Sequence, residues 1–124
     1  MESLAPNIFV RNINETIAFY SQLGFRVSMS VPETGEYNWV SMTSGQVTIM
    51  FQTWASLANE LREISRRDGG SLLLYIKMKD INAFFESIKD KVTVLKGLEK
   101  TFYGATEFTI LDNNNYVLTF AETE

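Results

Sequence analysis

The sequence predicts an α+β protein made of two successive βαβββ modules. Three observations support this fold: the order of one strand, one helix and three strands occurs twice, short segments recur at an almost constant offset, and a polar stretch with two glycines lies between the halves. The chain has 124 residues, which is the size of one ordinary domain. We therefore expect a single domain with module one at about residues 1–66, a linker at about 67–70 and module two at about 71–124.

The first module is predicted to open with a strand over residues 6–11. Asn12 and Glu15 have the spacing of a capping box at the start of a helix, and Gly24 stands where that helix should end. Three strands and a second helix should follow, over residues 25–31, 37–43, 47–53 and 54–66. The apolar residues that give these helices one buried face are Ile13, Ile17 and Tyr20 in the first and Leu57, Leu61 and Ile64 in the second.

The second module repeats this order. A strand over residues 72–78 is followed by Asp80, which is predicted to cap a helix. The apolar positions of that helix have the spacing i, i+3, i+4, i+7 and are Ile81, Phe84, Phe85 and Ile88. Three more strands are predicted over residues 92–95, 102–111 and 116–121, with an asparagine turn at 113–115. Residues 10–14 match 78–82, and residues 48–52 match 117–121, which indicates a duplicated module.

The composition excludes several kinds of chemistry. The chain has no cysteine, so disulfides and thiolate nucleophiles are excluded. It also has no histidine, which excludes a Ser-His-Asp triad and removes the commonest transition-metal ligand. The net charge is −4, and phosphate binding needs a basic surface, so we expect no nucleic-acid partner.

The same composition predicts a globular protein, with 45% hydrophobic and 21% charged residues. No apolar run approaches the roughly 20 residues that span a bilayer, so we expect no membrane partner. Residues 1–6 lack the basic start and long apolar stretch of a signal peptide, and we therefore expect a cytoplasmic location.

Two stretches resemble a known family. The pattern Val10-Arg11-Asn12, then Phe19-Tyr20, then Leu23-Gly24-Phe25 resembles the opening of glyoxalase/bleomycin-resistance domains of the vicinal-oxygen-chelate superfamily, with Asn12 in place of the usual Asp. Residues 103–112 and 116–120 resemble the closing stretch of that family, with the asparagine turn in place of Pro-x-Gly. The resemblance implies paired βαβββ modules whose curved sheets enclose a shared cavity, usually within a homodimer.

Enzymes of this superfamily hold a divalent metal through one residue from each of four strands, mostly His, Glu or Gln. Aligned on the motifs, the four positions hold Ala5, Met50, Leu73 and Thr119. These residues do not form a ligand set suited to such metals, because only the threonine carries an oxygen donor in its side chain. We therefore expect no metal and no other cofactor.

Strand alternation sorts the side chains into an apolar set and a mixed set with aromatic and hydrogen-bonding groups, which is the composition of a small-molecule pocket. The predicted ligand-binding residues are Asn7, Phe9, Tyr37, Trp39, Met50, Gln52, Leu73, Tyr75, Glu107 and Thr119. The alternative is a solvated sheet face, with Trp39 filling core or interface volume. Glu107 could receive a ligand amine or act as a general base; the alternative is a structural salt bridge, with a cation such as Lys77 or Arg11, or a dimer contact.

Three functions remain open from the sequence. The first is a metal-free binding protein, resembling bleomycin-resistance proteins, that sequesters or senses an aromatic or amphipathic compound as a homodimer. The second is a glyoxalase-like lyase, an isomerase or a dioxygenase relative in which Glu107 is catalytic, with or without a divalent metal. The third is a structural or regulatory dimerisation domain. The missing ligand set favours the first, without catalysis.

Overall fold

The computed structural model of the protein describes residues 1–64 and 70–124. The chain divides into two compact units, Met1–Arg67 and Asp68–Glu124. Elements of the first unit are β1 (Asn7–Val10), α1 (Ile13–Gln22), β2 (Arg26–Val31), β3 (Trp39–Ser44), β4 (Val47–Thr53) and α2 (Trp54–Leu57). Those of the second are β5 (Leu73–Lys77), α3 (Ile81–Ile88), β6 (Thr93–Lys100), β7 (Ala105–Leu111) and β8 (Val117–Thr123). Each unit thus contains the predicted βαβββ order.

Each unit forms one four-stranded mixed sheet, ordered β1-β4-β3-β2 in the first and β5-β8-β7-β6 in the second. The first strand of each unit pairs in parallel with the last strand, and the other pairs are antiparallel. A parallel pair cannot be closed by a hairpin, so the helix crosses over between the first strand and the rest of the sheet.

In the first unit, α1 packs on one face of its sheet. The Asn12 side chain accepts a hydrogen bond from the backbone N–H of Glu15 at 3.0 Å, as the capping-box spacing predicts. The helix ends at Gly24, whose φ of +94° favours glycine. The Tyr20 ring, fully buried, lies 4.7 Å from the ring of Phe51 on β4 and 5.6 Å from the ring of Phe25.

In the second unit, α3 packs on its sheet through the predicted apolar stripe. Ile81 and Ile88 are buried, and the Phe84 ring contacts the rings of Phe108 on β7 and Phe120 on β8. The Asp112-Asn115 turn that joins β7 and β8 has Asn115 at a φ of 66°, in the left-handed region that asparagine tolerates. This turn was predicted from the sequence.

The predicted helix over residues 54–66 is wrong beyond its first turn. It ends at Leu57, and Ala58 has a φ of 52°. Leu61 and Ile64 are 51% and 38% exposed, so these apolar side chains are not buried against another element. A short helix without such packing is marginal in water. Residues 65 and 66 and most of the predicted linker at 67–70 lie outside the described residues.

The prediction that the Asp80 side chain caps α3 is also wrong. Asp80 precedes α3, but its side chain makes no capping hydrogen bond and its φ is 58°. The backbone N–H of Ile81 donates instead to the Glu122 carboxylate of β8, at 3.1 Å. A neighbouring strand therefore supplies the acceptor that the local sequence was expected to provide.

The strands of the second unit whose bounds differ most from the prediction are β6 and β7. Strand β6 runs over Thr93–Lys100, where only residues 92–95 were predicted, because its two register shifts and Gly97 hide the alternation. Strand β7 begins at Ala105, so Phe102 and Tyr103 lie in the preceding turn. None of the helices in the described parts of the chain is long and apolar enough to cross a lipid bilayer.

Candidate functional site

The candidate site residues lie on the helix-distal faces, by which we mean the face of the first sheet opposite α1 and the face of the second sheet opposite α3. In the first sheet, register aligns Asn7 with Met50, Phe9 with Gln52, and Gln52 with Trp39. These residues alternate along their strands with the side chains that pack under α1. The structure therefore brings together five of the six predicted ligand-binding residues of the first unit.

Local contacts order this face. The Asn7 Nδ2 donates a hydrogen bond to the Gln52 Oε1 at 3.0 Å, which fixes the orientation of both amides. The Phe9 ring is 8% exposed and lies 5.4 Å from the ring of Trp54 at the start of α2. Trp39 is half-buried. The face therefore presents an aromatic surface beside an amide pair.

Tyr37 is not among the residues that pair in this sheet. It lies before β3, in a small cavity of about 70 Å³ that is also lined by Arg11, Asn12, Glu36 and Thr53. Sequence alternation included Tyr37 because it stands two residues before Trp39, but the strand begins only at Trp39. Tyr37 therefore stands outside the paired strands, and its predicted place beside the other five residues stays a prediction.

In the second sheet, register aligns Leu73 with Val117, Tyr75 with Thr119, and Glu107 with Ala121. The four predicted site residues of this unit, Leu73, Tyr75, Glu107 and Thr119, lie on its helix-distal face. Leu73 and Tyr75 are 50% and 46% exposed, whereas Glu107 and Thr119 are buried.

Glu107 is at the centre of a cluster of side chains that we call the tyrosine–carboxylate cluster: Tyr75, Tyr103 and Glu107. Both phenol hydroxyls donate to the same carboxylate oxygen, Oε2, and the Tyr103 Oη lies 2.7 Å from it. Within residues 70–124 the other oxygen, Oε1, accepts no hydrogen bond, and it is not sealed from solvent. The carboxylate thus has one satisfied oxygen and one open oxygen.

The cluster changes the acid–base properties of its phenols. The hydrogen bond to Glu107, with desolvation and the negative charge of the carboxylate as smaller causes, raises the pKa of Tyr75 to about 12. The same hydrogen bond is the largest cause that raises the pKa of Tyr103 above its ordinary value. Both tyrosines are therefore neutral hydrogen-bond donors at neutral pH.

Within the second unit, Glu107 forms no salt bridge with Lys77. Within the described residues, the ion pair that forms is Lys89–Glu86 on α3, at 2.8 Å. Glu107 has phenol partners instead. Its negative charge is hydrogen-bonded but is not neutralised by a basic side chain within residues 70–124.

Tyr103 is the site residue that sequence reasoning missed. Tyr103 was considered only as part of the family motif, within a predicted strand. Strand alternation would place it on the same face as Glu107, but it does not predict a contact between the two side chains. In the structure it lies in the turn, and Gly104 with a φ of +82° lets the chain turn sharply enough for the phenol to reach a carboxylate four residues later. The glycine after the tyrosine was the available signal.

The family model described as Glyoxalase/Bleomycin resistance protein/Dioxygenase superfamily matches residues 4–120. The chain belongs to this superfamily. Among curated proteins, none matches the sequence.

Solved structures with the same fold cover essentially the whole chain. A protein of unknown function from Agrobacterium tumefaciens is 24% identical, with a TM-score of 0.81, covering 100% of this chain and 95% of that one. A bleomycin resistance determinant encoded on the transposon Tn5 is 18% identical, with a TM-score of 0.73 and coverage of 100% and 99%. A bleomycin-binding protein complexed with bleomycin is 17% identical, with a TM-score of 0.69 and coverage of 100% of both chains. At these identities the likeness shows the fold.

The superfamily positions for metal ligands can be tested against the structure. Ala5 and Leu73 have no donor atom in their side chains, and the Met50 thioether is a poor ligand for hard divalent cations. The Thr119 hydroxyl lies 2.8 Å from the Thr109 hydroxyl, with which it shares a hydrogen bond. In the described parts of the chain, no three Asp or Glu side chains are grouped closely enough to hold a metal. The residues present do not fit the superfamily's metal.

Proposed function

We propose that the protein is a metal-free small-molecule-binding member of the superfamily that sequesters or senses an aromatic or amphipathic compound. The observation that carries this proposal is the grouping of Asn7, Phe9, Trp39, Met50 and Gln52 on one helix-distal face. Aromatic rings supply contact area, and the amides fix the orientation of a ligand through hydrogen bonds.

The side chains at the superfamily's metal-ligand positions favour a binding function over a catalytic one. Without a Lewis acid at those positions, the chain has no means of polarising a substrate there, whereas an apolar or aromatic lining still encloses one. The similar structures include a bleomycin resistance determinant and a bleomycin-binding protein. The fold is therefore suited to holding a large organic ligand, and we extend that role to this chain.

We also propose that the protein is a homodimer. Strand β2 is an edge strand of the first sheet, and its apolar residues Met29 and Val31 are 65% and 53% exposed. An exposed apolar edge is a ready surface for another chain. A second copy would remove these side chains from water, which is the larger part of the favourable free energy of such an association.

The test is an amide NMR titration with bleomycin and with naphthylethanol, a neutral aromatic alcohol. We expect chemical-shift changes at the helix-distal faces, and Trp39→Leu should weaken binding by about tenfold, the factor given by the loss of about 1.4 kcal/mol. The matched control is Phe19→Leu, which changes an aromatic side chain of α1 away from this face and should leave binding unchanged.

Two results would contradict the proposal. One is the absence of any shift with either compound, or shifts confined to α1 and α3. The other is near-stoichiometric metal in protein purified without chelator, lost in Glu107→Ala, which would favour the glyoxalase-like alternative.

A further inference from the structure

We propose that the tyrosine–carboxylate cluster recognises the ammonium group of an aromatic amine. This inference rests on the proposed binding function and names the class of its ligand: an organic cation with an aromatic body. The amine would donate to the Glu107 Oε1 while the rings of Tyr75 and Tyr103 flank it.

The geometry leaves one acceptor for a ligand. Glu107 lies in the middle of β7, so the sheet holds its backbone, and both phenols hold Oε2. Oε1 has no partner within residues 70–124 and is reachable by solvent. An ionised carboxylate only accepts hydrogen bonds, so the missing partner must be a donor.

The electrostatics select a cation over a neutral donor. The phenols satisfy hydrogen bonds of Glu107 but carry no charge, and Glu99 is the Cα partner of Glu107 on β6, which adds a second negative group beside it. A charged acceptor of low exposure interacts more strongly with an ammonium group than with a hydroxyl. A carboxylate ligand would be repelled.

Within residues 70–124, neither of the lysines on this face, Lys77 on β5 and Lys96 on β6, forms an ion pair with Glu107. Lys77 lies two strands away, as the Cα partner of Ala121, which in turn pairs with Glu107. A divalent metal is a poorer occupant, because in the described residues no group of three Asp or Glu side chains is present to hold it.

The tyrosine rings suit an aromatic amine in particular. Tyr75 and Tyr103 are 46% and 55% exposed although their hydroxyls are held, so their ring faces are available for contact. Cations bind over the face of an aromatic ring, and aromatic ligands stack on it. A ligand that combines both features uses the carboxylate and the rings at once.

The experiment compares three probes on one scaffold: naphthylethylamine, naphthylethanol and naphthylacetate, titrated by amide NMR. The amine should bind about tenfold more tightly than the alcohol, with shifts centred on Tyr103, Gly104 and Glu107, and the carboxylate should bind more weakly than the alcohol.

Glu107→Gln should remove this preference for the amine. Tyr103→Leu, in an exposed turn, should weaken amine binding several-fold. Glu86→Gln, which alters the net charge equally on α3, is the control and should keep the preference.

The outcomes separate the inference from the proposed function. Equal binding of amine and alcohol, a preference that persists in Glu107→Gln, or unchanged amine binding in Tyr103→Leu overturns the cation site while the binding function stands. No binding of any of the three probes at millimolar concentration, with no response to bleomycin, overturns both. If Glu107→Gln does not fold, Tyr103→Leu decides alone.

Discussion

At the scale of single residues, the partners of Glu107 come from positions that local sequence does not connect. Tyr75 stands 32 residues before it, and the two meet because β8 lies between β5 and β7 in the sheet. Two neutral donors can stabilise a buried carboxylate without cancelling its charge. A salt bridge would have cancelled it. Because its hydrogen-bond partners are phenols, Glu107 leaves a negatively charged site on the helix-distal face of the second sheet.

We expect Tyr75 to ionise near pH 12, above the ordinary value of 10.0. Because the folded-state pKa is raised above the unfolded value, the contribution of this hydrogen bond to stability is complete below pH 10.0 and is lost as pH rises toward about 12. Phenolate absorbance, measured as the difference between the wild type and Tyr75→Phe, gives the midpoint.

Glu107→Gln should lower that midpoint toward the ordinary value, since the amide is a weaker acceptor and carries no charge. Glu86→Gln serves again as the control for net charge. A Tyr75 midpoint that stays high in Glu107→Gln would show that the carboxylate is not its cause.

At the scale of elements, the two main helices begin in different ways. The N-cap of α1 lies within its own sequence, where Asn12 accepts from Glu15. The first N–H group of α3 is satisfied by Glu122, 41 residues later on β8. Capping-box spacing is a local signal, so it predicted the first of these and could not find the second.

This difference predicts unequal effects of substitution at Asn12 and Asp80, the residues that precede the two helices. Asn12→Ala and Glu122→Ala should each lower the free energy of unfolding by about 1 kcal/mol, because each leaves a helical N–H without its acceptor. Asp80→Asn, which keeps a residue tolerant of positive φ, should change it by less than about 0.5 kcal/mol. Urea denaturation measures all three.

A loss at Asp80→Asn as large as that at Glu122→Ala would contradict this assignment. In that case the Asp80 carboxylate would be acting on the N-terminus of α3 through its charge. Asp80→Glu then distinguishes charge from side-chain geometry.

At the scale of the whole molecule, the two units repeat one plan, with a parallel first and last strand and a helix over one face of each sheet. The units differ in what their helix-distal faces carry. The first presents aromatic and amide groups, and the second presents the tyrosine–carboxylate cluster. The two units thus share one scaffold and differ in the side chains on their helix-distal faces.

The proposed homodimer gives the prediction at this scale. Met29→Asp on the exposed edge of the first sheet should shift the protein toward monomer, because a charge on an apolar interface must be desolvated. Analytical ultracentrifugation measures the shift, with Ser87→Asp on the exposed side of α3 as the control. A wild-type protein that stays monomeric at high concentration would contradict the proposal.

Much of the architecture was encoded locally. The two apolar stripes of α1 and α3, the glycine at the end of α1 and the asparagine turn each depend on residues within a few positions, and their predicted elements are confirmed. The family motifs were likewise sufficient to predict the superfamily. The helix over residues 54–66 failed because apolar spacing alone does not provide a surface against which to bury it.

The sequence by itself determined the order of elements, the superfamily and the absence of the superfamily's metal donors, since these follow from residue types and short spacings. Only the tertiary structure decided which side chains meet: the strand order brought Tyr75 to Glu107, and the turn at Gly104 brought Tyr103 to Glu107. The physical reason is that hydrogen bonds between distant residues depend on strand order and register, which many weak contacts across the sheet set together.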